Sequence, residues 1–202
     1  MGRWKTGLIM LLALAIGGVG AAGQVQARSE AYKENIYDPG LLKPRDSQLK
    51  VKVGEKAPEF SLPALSGGKV ALSGFLGEKN VVLSFVPAAW TPVCSDQWPG
   101  YNLAKELFDE RNTILLGITV DNLPTLFSWT NQMGKLWFPV LSDFYPHGAV
   151  ADRYGVLRSD GTSERALFVI DKIGVIRYIV VHDINRRPHL EVLIRELDKL
   201  EK

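Results

Sequence analysis

Beyond Val51 the spacing of apolar residues changes repeatedly along the chain, and each change marks an element. Asn80–Val86, Thr113–Val120, Ala166–Asp171 and Val175–Val181 are short runs rich in β-branched residues, the composition of buried strands. The last two are separated by Lys172-Ile173-Gly174, which is long enough only for a hairpin, so at least one strand pair is antiparallel. Helical spacing appears at Asp96–Asn112, Pro124–Met133 and Pro188–Lys202. In the last of these, Leu190, Leu193, Leu197 and Leu200 recur at three- and four-residue intervals and form one apolar face. Strands alternating with helices, then a hairpin and a closing helix, predict an α/β domain with a central mixed sheet flanked by helices.

Residues 51–202 hold this pattern as one domain. Residues 28–50 are polar, carry Pro39-Gly40 and Pro44, and read as a linker or as an N-terminal arm lying on the domain. Ahead of them, residues 1–27 have the layout of an export signal: basic Arg3 and Lys5, the apolar run Leu8–Ile16, and a small-x-small ending at Val25-Gln26-Ala27. The uncharged stretch Thr6–Ala27 is long enough to cross a bilayer but is diluted by Gly17, Gly18, Gly20 and Gly23. The expectation is therefore an exported, periplasmic protein, with a retained membrane anchor as the alternative. Outside such an anchor nothing calls for a membrane.

Charge narrows the partners. The chain has 24 Lys and Arg against 22 Asp and Glu. Arg3 and Lys5 sit in a leader without acids, so the domain itself balances and offers no electrostatic footprint for nucleic acid. There is one cysteine, Cys94, which excludes a disulfide framework, a CxxC pair and any multi-thiolate zinc site within this chain.

Cys94 follows the strand at Asn80–Val86 and stands just ahead of the helical pattern that begins near Asp96, the place where sites form in open α/β sheets. Free N–H groups at a helix start stabilise an anion, and a thiolate is the nucleophilic form of cysteine. Pro87 and Pro92 stiffen the loop. Pro99 is expected in the first turn or so of the helix, where its missing N–H does little harm. A free cysteine is often only a buried packing residue, yet this one has Thr91, Ser95, Asp96 and Gln97 around it. The carboxylate of Asp96 would disfavour a thiolate unless it turns away or meets a cation.

The segment Pro87-Ala88-Ala89-Trp90-Thr91-Pro92-Val93-Cys94 matches the PxxxTxxC motif and so resembles the active site of the peroxiredoxins, thiol peroxidases of thioredoxin-like fold. The likeness extends from Val53–Phe60 through Leu141-Ser142-Asp143 and Tyr154-Gly155-Val156 to Arg165–Asp171. It implies Cys94 as peroxidatic nucleophile, Thr91 bonding to thiolate and peroxide, Pro87 shielding the pocket from water, and Arg165 returning to the thiolate. It implies no cofactor and no metal. The implied substrate is hydrogen peroxide or an organic hydroperoxide, and the first product is a sulfenic acid. Gln97 stands where the family often has Glu, and Trp90 where a smaller or acidic residue is common. Lacking a second cysteine, the chain resembles the one-cysteine members, which need an external thiol reductant, a small thiol or a thioredoxin-like protein. A non-turnover redox-sensing or binding module is the rival reading.

Other residues carry plainer expectations. His147, His182 and His189 show no metal-ligand spacing, Asp121, Asp143, Asp171 and Asp183 suit turn capping, and Trp129 and Trp137 suit a core or an interface. Arg186-Arg187 reads as a solvated cluster or part of a subunit contact, so a homodimer stays open.

Overall fold

The structure, a computed structural model, describes residues 32–201. The leader pattern of residues 1–27 lies outside the described residues. In chain order the elements are β1 (Ser61–Pro63), β2 (Lys69–Ala71), β3 (Asn80–Phe85), α1 (Pro92–Leu103), α2 (Lys105–Asp109), β4 (Thr113–Thr119), α3 (Leu123–Met133), β5 (Val140–Ser142), α4 (Ala149–Tyr154), β6 (Arg165–Ile170), β7 (Ile176–His182) and α5 (Leu190–Asp198).

The central sheet runs β5-β4-β3-β6-β7. Strands β3, β4 and β5 are parallel, β6 is antiparallel to β3, and β7 is antiparallel to β6, which is the mixed sheet the pattern predicts. The hairpin joining β6 and β7 is closed by Asp171, whose carboxylate accepts from the N–H groups of Ile173 (3.0 Å) and Val175 (2.8 Å). β1 and β2 form a separate antiparallel pair. These two strands, β5 and α4 had no periodic signature, since three residues are too few to display alternation and α4 is barely more than a turn.

Alternation along the central strands divides the core in two. Val81, Leu83 and Phe85 of β3, with Ala166, Phe168 and Ile170 of β6, pack toward Phe60, Leu62, Leu72 and Tyr154. Their neighbours Val82, Leu167 and Val169 pack the other way, toward Trp98, Tyr101, Phe108, Trp129, Leu193 and Leu197 on the helices. A period of two places successive residues on opposite faces.

Two expectations about the helices need correction. The single helix expected over Asp96–Asn112 starts earlier, at Pro92, and breaks at Ala104 before continuing as α2. Proline at the first helical positions is pre-set for the helix and loses no bond there, which is why the start moves back to Pro92. Pro99 consequently lies inside α1 and not in its first turn. An interior proline cannot donate to the carbonyl four residues back, that of Ser95, and the Tyr32 hydroxyl donates to that carbonyl (3.4 Å). α3 is capped by Asn122, which accepts from Thr125 N–H (2.9 Å). Asp143 caps α4 through Val150 N–H (3.0 Å) and Ala151 N–H (2.8 Å), while burial pushes its carboxyl above the ordinary value.

Residues 32–50 are bound to the domain along their length. Leu42 and the Asn185 side chain exchange two hydrogen bonds of 2.9 Å, and Ile184 N–H donates to Pro44 carbonyl (3.2 Å). Arg158 donates to the Lys43 carbonyl (3.0 Å) and pairs with the buried Glu164 (2.8 Å). Asp46 accepts from Ser159 N–H (3.0 Å), and its bonds from Lys43 and Ser159 hold its carboxyl well below the usual range. Further along, the backbone of Gln48–Lys50 runs so close to Gly155 (φ +75°) that a Cβ there would lie 2.3 Å from the Gln48 carbonyl oxygen.

Candidate active site

Cys94 lies in the first turn of α1, wholly buried, at the carboxyl end of β3. The loop that delivers it is pinned from below. Asp121, just past β4, accepts from Ala89 N–H (2.8 Å) and the Thr119 hydroxyl (2.5 Å), and Ser163 donates to the Val86 carbonyl (2.8 Å). Trp90 has φ +61°, a conformation bulky residues rarely adopt, and the surroundings hold it there. Its carbonyl accepts from Tyr37 N–H (2.7 Å), and its ring centroid is 6.0 Å from that of Tyr32.

Arg165, the first residue of β6, reaches the thiol: its Nη2 is 3.4 Å from Cys94 Sγ. The same guanidinium donates from Nη1 to Gln97 Oε1 (2.7 Å) and from Nε to the Ile184 carbonyl (3.1 Å). Arg165 is buried, and among the described residues no carboxylate pairs with it. A buried cation demands a compensating anion, and the one group in contact that can become an anion is the Cys94 thiol. Gln97 is what makes this so. It is neutral, and it is oriented from behind by bonds from its Nε2 to Ser84 Oγ and to Tyr101 Oη, both 3.3 Å. Burial keeps the Tyr101 hydroxyl neutral by pushing it far above its ordinary value.

Thr91 occupies the N-cap position of α1, and its hydroxyl donates to the Ala88 carbonyl (2.8 Å). With its proton so committed, the Thr91 oxygen is left as an acceptor and does not donate to Cys94, which corrects the expected bond from Thr91 to the thiolate. Asp96, the residue expected to oppose a thiolate, points to the surface and meets Arg187 at 2.8 Å, so a cation compensates it. Trp129 donates to Ser95 Oγ (3.0 Å) and Trp137 to the Tyr101 carbonyl (3.1 Å), both as packing residues with a satisfied N–H. The histidines do not converge: His147 bonds the Gly161 carbonyl and His182 the Asp183 carbonyl.

A cavity of about 550 Å³ opens on this site, lined by Pro87, Thr91, Val93 and Arg165 on the domain and by Tyr37–Leu42 on the arm. Of the sequence-predicted residues, Pro87, Thr91 and Arg165 line this cavity, while Cys94 is fully buried behind its wall and is joined to them through Arg165. Ser84, Ile184, Asn185 and the arm were not foreseen there. Ser84 had a legible signal, a hydroxyl in an otherwise apolar buried strand. The arm had none.

A buried thiol at a helix start, paired with an unneutralised guanidinium on a mixed sheet, has the chemistry a thiol-dependent peroxidase needs. Residues 53–179 match the AhpC/TSA family, and the chain belongs to that family. It is similar to alkyl hydroperoxide reductase E of Mycobacterium tuberculosis, with 39% identity over 129 residues, covering 63% of this chain and 84% of the relative. It is also similar to the chloroplastic 2-cysteine peroxiredoxin of Chattonella marina var. antiqua, 31% identical over 162 residues, 76% of this chain and 82% of that one. Among solved structures, the reduced 2-Cys peroxiredoxin of Plasmodium vivax superposes with a TM-score of 0.71 at 30% identity, covering 75% of this chain and 82% of its own.

Proposed function

We propose that Cys94 is the peroxidatic nucleophile, assisted by Arg165, Thr91 and Pro87, and that its substrate is hydrogen peroxide or an organic hydroperoxide. The observation that carries this reading is the buried Arg165 guanidinium at 3.4 Å from Cys94 Sγ with no carboxylate partner among the described residues. The thiolate attacks the terminal oxygen of the hydroperoxide. An S–O bond forms as the O–O bond breaks, and the departing alkoxide or hydroxide takes a proton from solvent. Arg165 and the backbone donors at the start of α1 stabilise charge moving onto the leaving oxygen, and Thr91 accepts from the hydroperoxide proton.

Cys94 is the one cysteine of this chain, so the sulfenic acid is met by a thiol from another molecule. A first thiol forms a mixed disulfide with loss of water. A second displaces it, returning Cys94 to the thiolate. The basic, apolar and small-residue layout of residues 1–27 supports export to the periplasm, with the leader removed near Arg28.

Intact mass spectrometry of the protein recovered from its native compartment tests both parts. The expected species begins near Arg28, gains one oxygen at Cys94 with one equivalent of peroxide, and forms a mixed disulfide with a small thiol; Cys94→Ser gains neither. Oxidation no faster than that of free cysteine, or a rapid Cys94–Cys94 dimer competent for turnover, would overturn the mechanism. An intact leader in the membrane fraction would overturn its cleavage and favour the membrane-anchored alternative.

A further inference from the structure

Along the chain Cys94 stands between Trp90 and Ser95, and the start of the arm grips both. Tyr37 N–H donates to the Trp90 carbonyl (2.7 Å), and the Tyr32 hydroxyl donates to the Ser95 carbonyl (3.4 Å). The Tyr32 ring lies 6.0 Å from that of Trp90, centroid to centroid. Burial pushes the Tyr32 hydroxyl above its ordinary value, so it keeps the proton it donates.

Both grips fall on weak points of the turn that carries Cys94. Trp90 has φ +61°, a strained conformation that persists only where the surroundings over-determine it. The Ser95 carbonyl has no helical donor four residues on, because that residue is Pro99. A turn with a strained residue before it and a missing helical bond after it opens more easily than the rest of α1. Residues 32–37 precede the family segment 53–179, so these contacts are this chain's own addition to it.

The two states of the turn differ in what Cys94 can meet. Closed, its sulfur is wholly buried and 3.4 Å from Arg165, which stabilises the charge that moves during attack on a peroxide. A disulfide requires two sulfurs at ~2 Å, and a sulfur carried on a bulky molecule cannot approach a buried one that closely. We infer that Tyr32 and Tyr37 are positioning residues that clamp the Cys94 turn closed, and that the clamp sets the division between reaction with peroxide and exchange with bulky sulfur compounds. The peroxide half of this inference rests on Cys94 as the peroxidatic nucleophile, whereas the clamp itself does not. Each of the two hydrogen bonds is worth roughly two- to tenfold in the closing equilibrium.

The test uses Tyr32→Phe, which keeps the ring and loses the hydroxyl, Tyr32→Ala, which loses both, and Tyr37→Pro, which loses the backbone donor. Each is compared with the unaltered protein well below its thermal transition. One measurement is stopped-flow oxidation of Cys94 by hydrogen peroxide. The other is exchange with dithiobis(nitrobenzoate), in which the Cys94 thiolate attacks the reagent's disulfide, forms a mixed disulfide and expels one thionitrobenzoate anion. The expected exchange rate rises about two- to tenfold in Tyr32→Phe and Tyr37→Pro and at least ~10-fold in Tyr32→Ala, while the peroxide rate stays level or falls as the closed fraction shrinks. Phe168→Ala, weakened on the far side of the sheet, leaves the exchange rate within about twofold of the unaltered protein. An exchange rate unchanged in all three tyrosine variants, a peroxide rate that rises along with it, or an equal rise in Phe168→Ala overturns the clamp while leaving Cys94 a peroxidase. Failure of hydrogen peroxide to oxidise the unaltered protein faster than free cysteine overturns the peroxidase reading, and the division with it, whatever the exchange rates show.

Discussion

The two faces of the central sheet are made by the same strands and differ in what they hold. On one face Phe85, Tyr154 and Phe168 form a triangle of rings with centroids 4.9–5.8 Å apart, surrounded by aliphatic side chains. On the other face, the equally buried Ser84 of β3 and Arg165 of β6 interrupt the hydrocarbon, and Gly117 of β4 leaves the room that Trp98 fills. These positions sit beside Gln97 and Cys94 of α1, so apolar packing has been given up at the Cys94 end of this face. Every polar atom introduced there is bonded: Ser84 accepts from Gln97 and Trp98, Gln97 accepts from Arg165, and no buried side-chain N or O lacks a partner among the described residues. A polar network can be buried cheaply only if it is complete, and this one is closed by the thiol. One face thus stabilises the domain and the other spends some of that stability on chemistry.

This contrast can be broken by exchanging the effects of two substitutions. Phe168→Ala removes one ring of the triangle and should cost about 3–5 kcal/mol of stability, read by chemical denaturation, while the folded fraction keeps its rate of peroxide reduction. A loss of rate larger than the loss of folded protein would show that the first face is part of the machinery. Arg165→Ala should do the reverse in kind. The rate of Cys94 oxidation falls ~10²–10³-fold, and Arg165→Lys recovers little of it, because a single ammonium cannot serve Gln97, Ile184 and Cys94 together. An Arg165→Ala rate within a fewfold of the unaltered protein would mean the guanidinium is structural. Gly117→Ala is the smallest and sharpens the boundary. A Cβ there would lie 2.8 Å from Trp98, costing about 1–3 kcal/mol. Because Trp98 shares Ser84 with Gln97, the same change should slow peroxide reduction measurably, whereas a comparable overpacking on the first face should not.

The four long strands, the hairpin and the three main helices were legible in the sequence because their signals are local: β-branched runs, leucines at helical spacing, a three-residue link. The motif from Pro87 to Cys94 was legible for the same reason, and Arg165 through the resemblance. Local pattern misplaced the start of α1 and the position of Pro99, since a helix boundary depends on which nearby groups satisfy its ends. It also left residues 28–50 open between linker and arm. Leu42 meets Asn185 across 143 residues of chain, and Pro44, Ile184 and Arg165 are joined by backbone and guanidinium bonds that no periodicity encodes. The sequence by itself therefore determined the four long strands, the main helices and the reaction class, each written in neighbouring residues, and supplied the motif on which Cys94 is proposed as nucleophile. The tertiary structure alone decided that Gln97 leaves Arg165 without a carboxylate and that the arm walls the cavity, because both depend on which distant segments packing brings within hydrogen-bond reach.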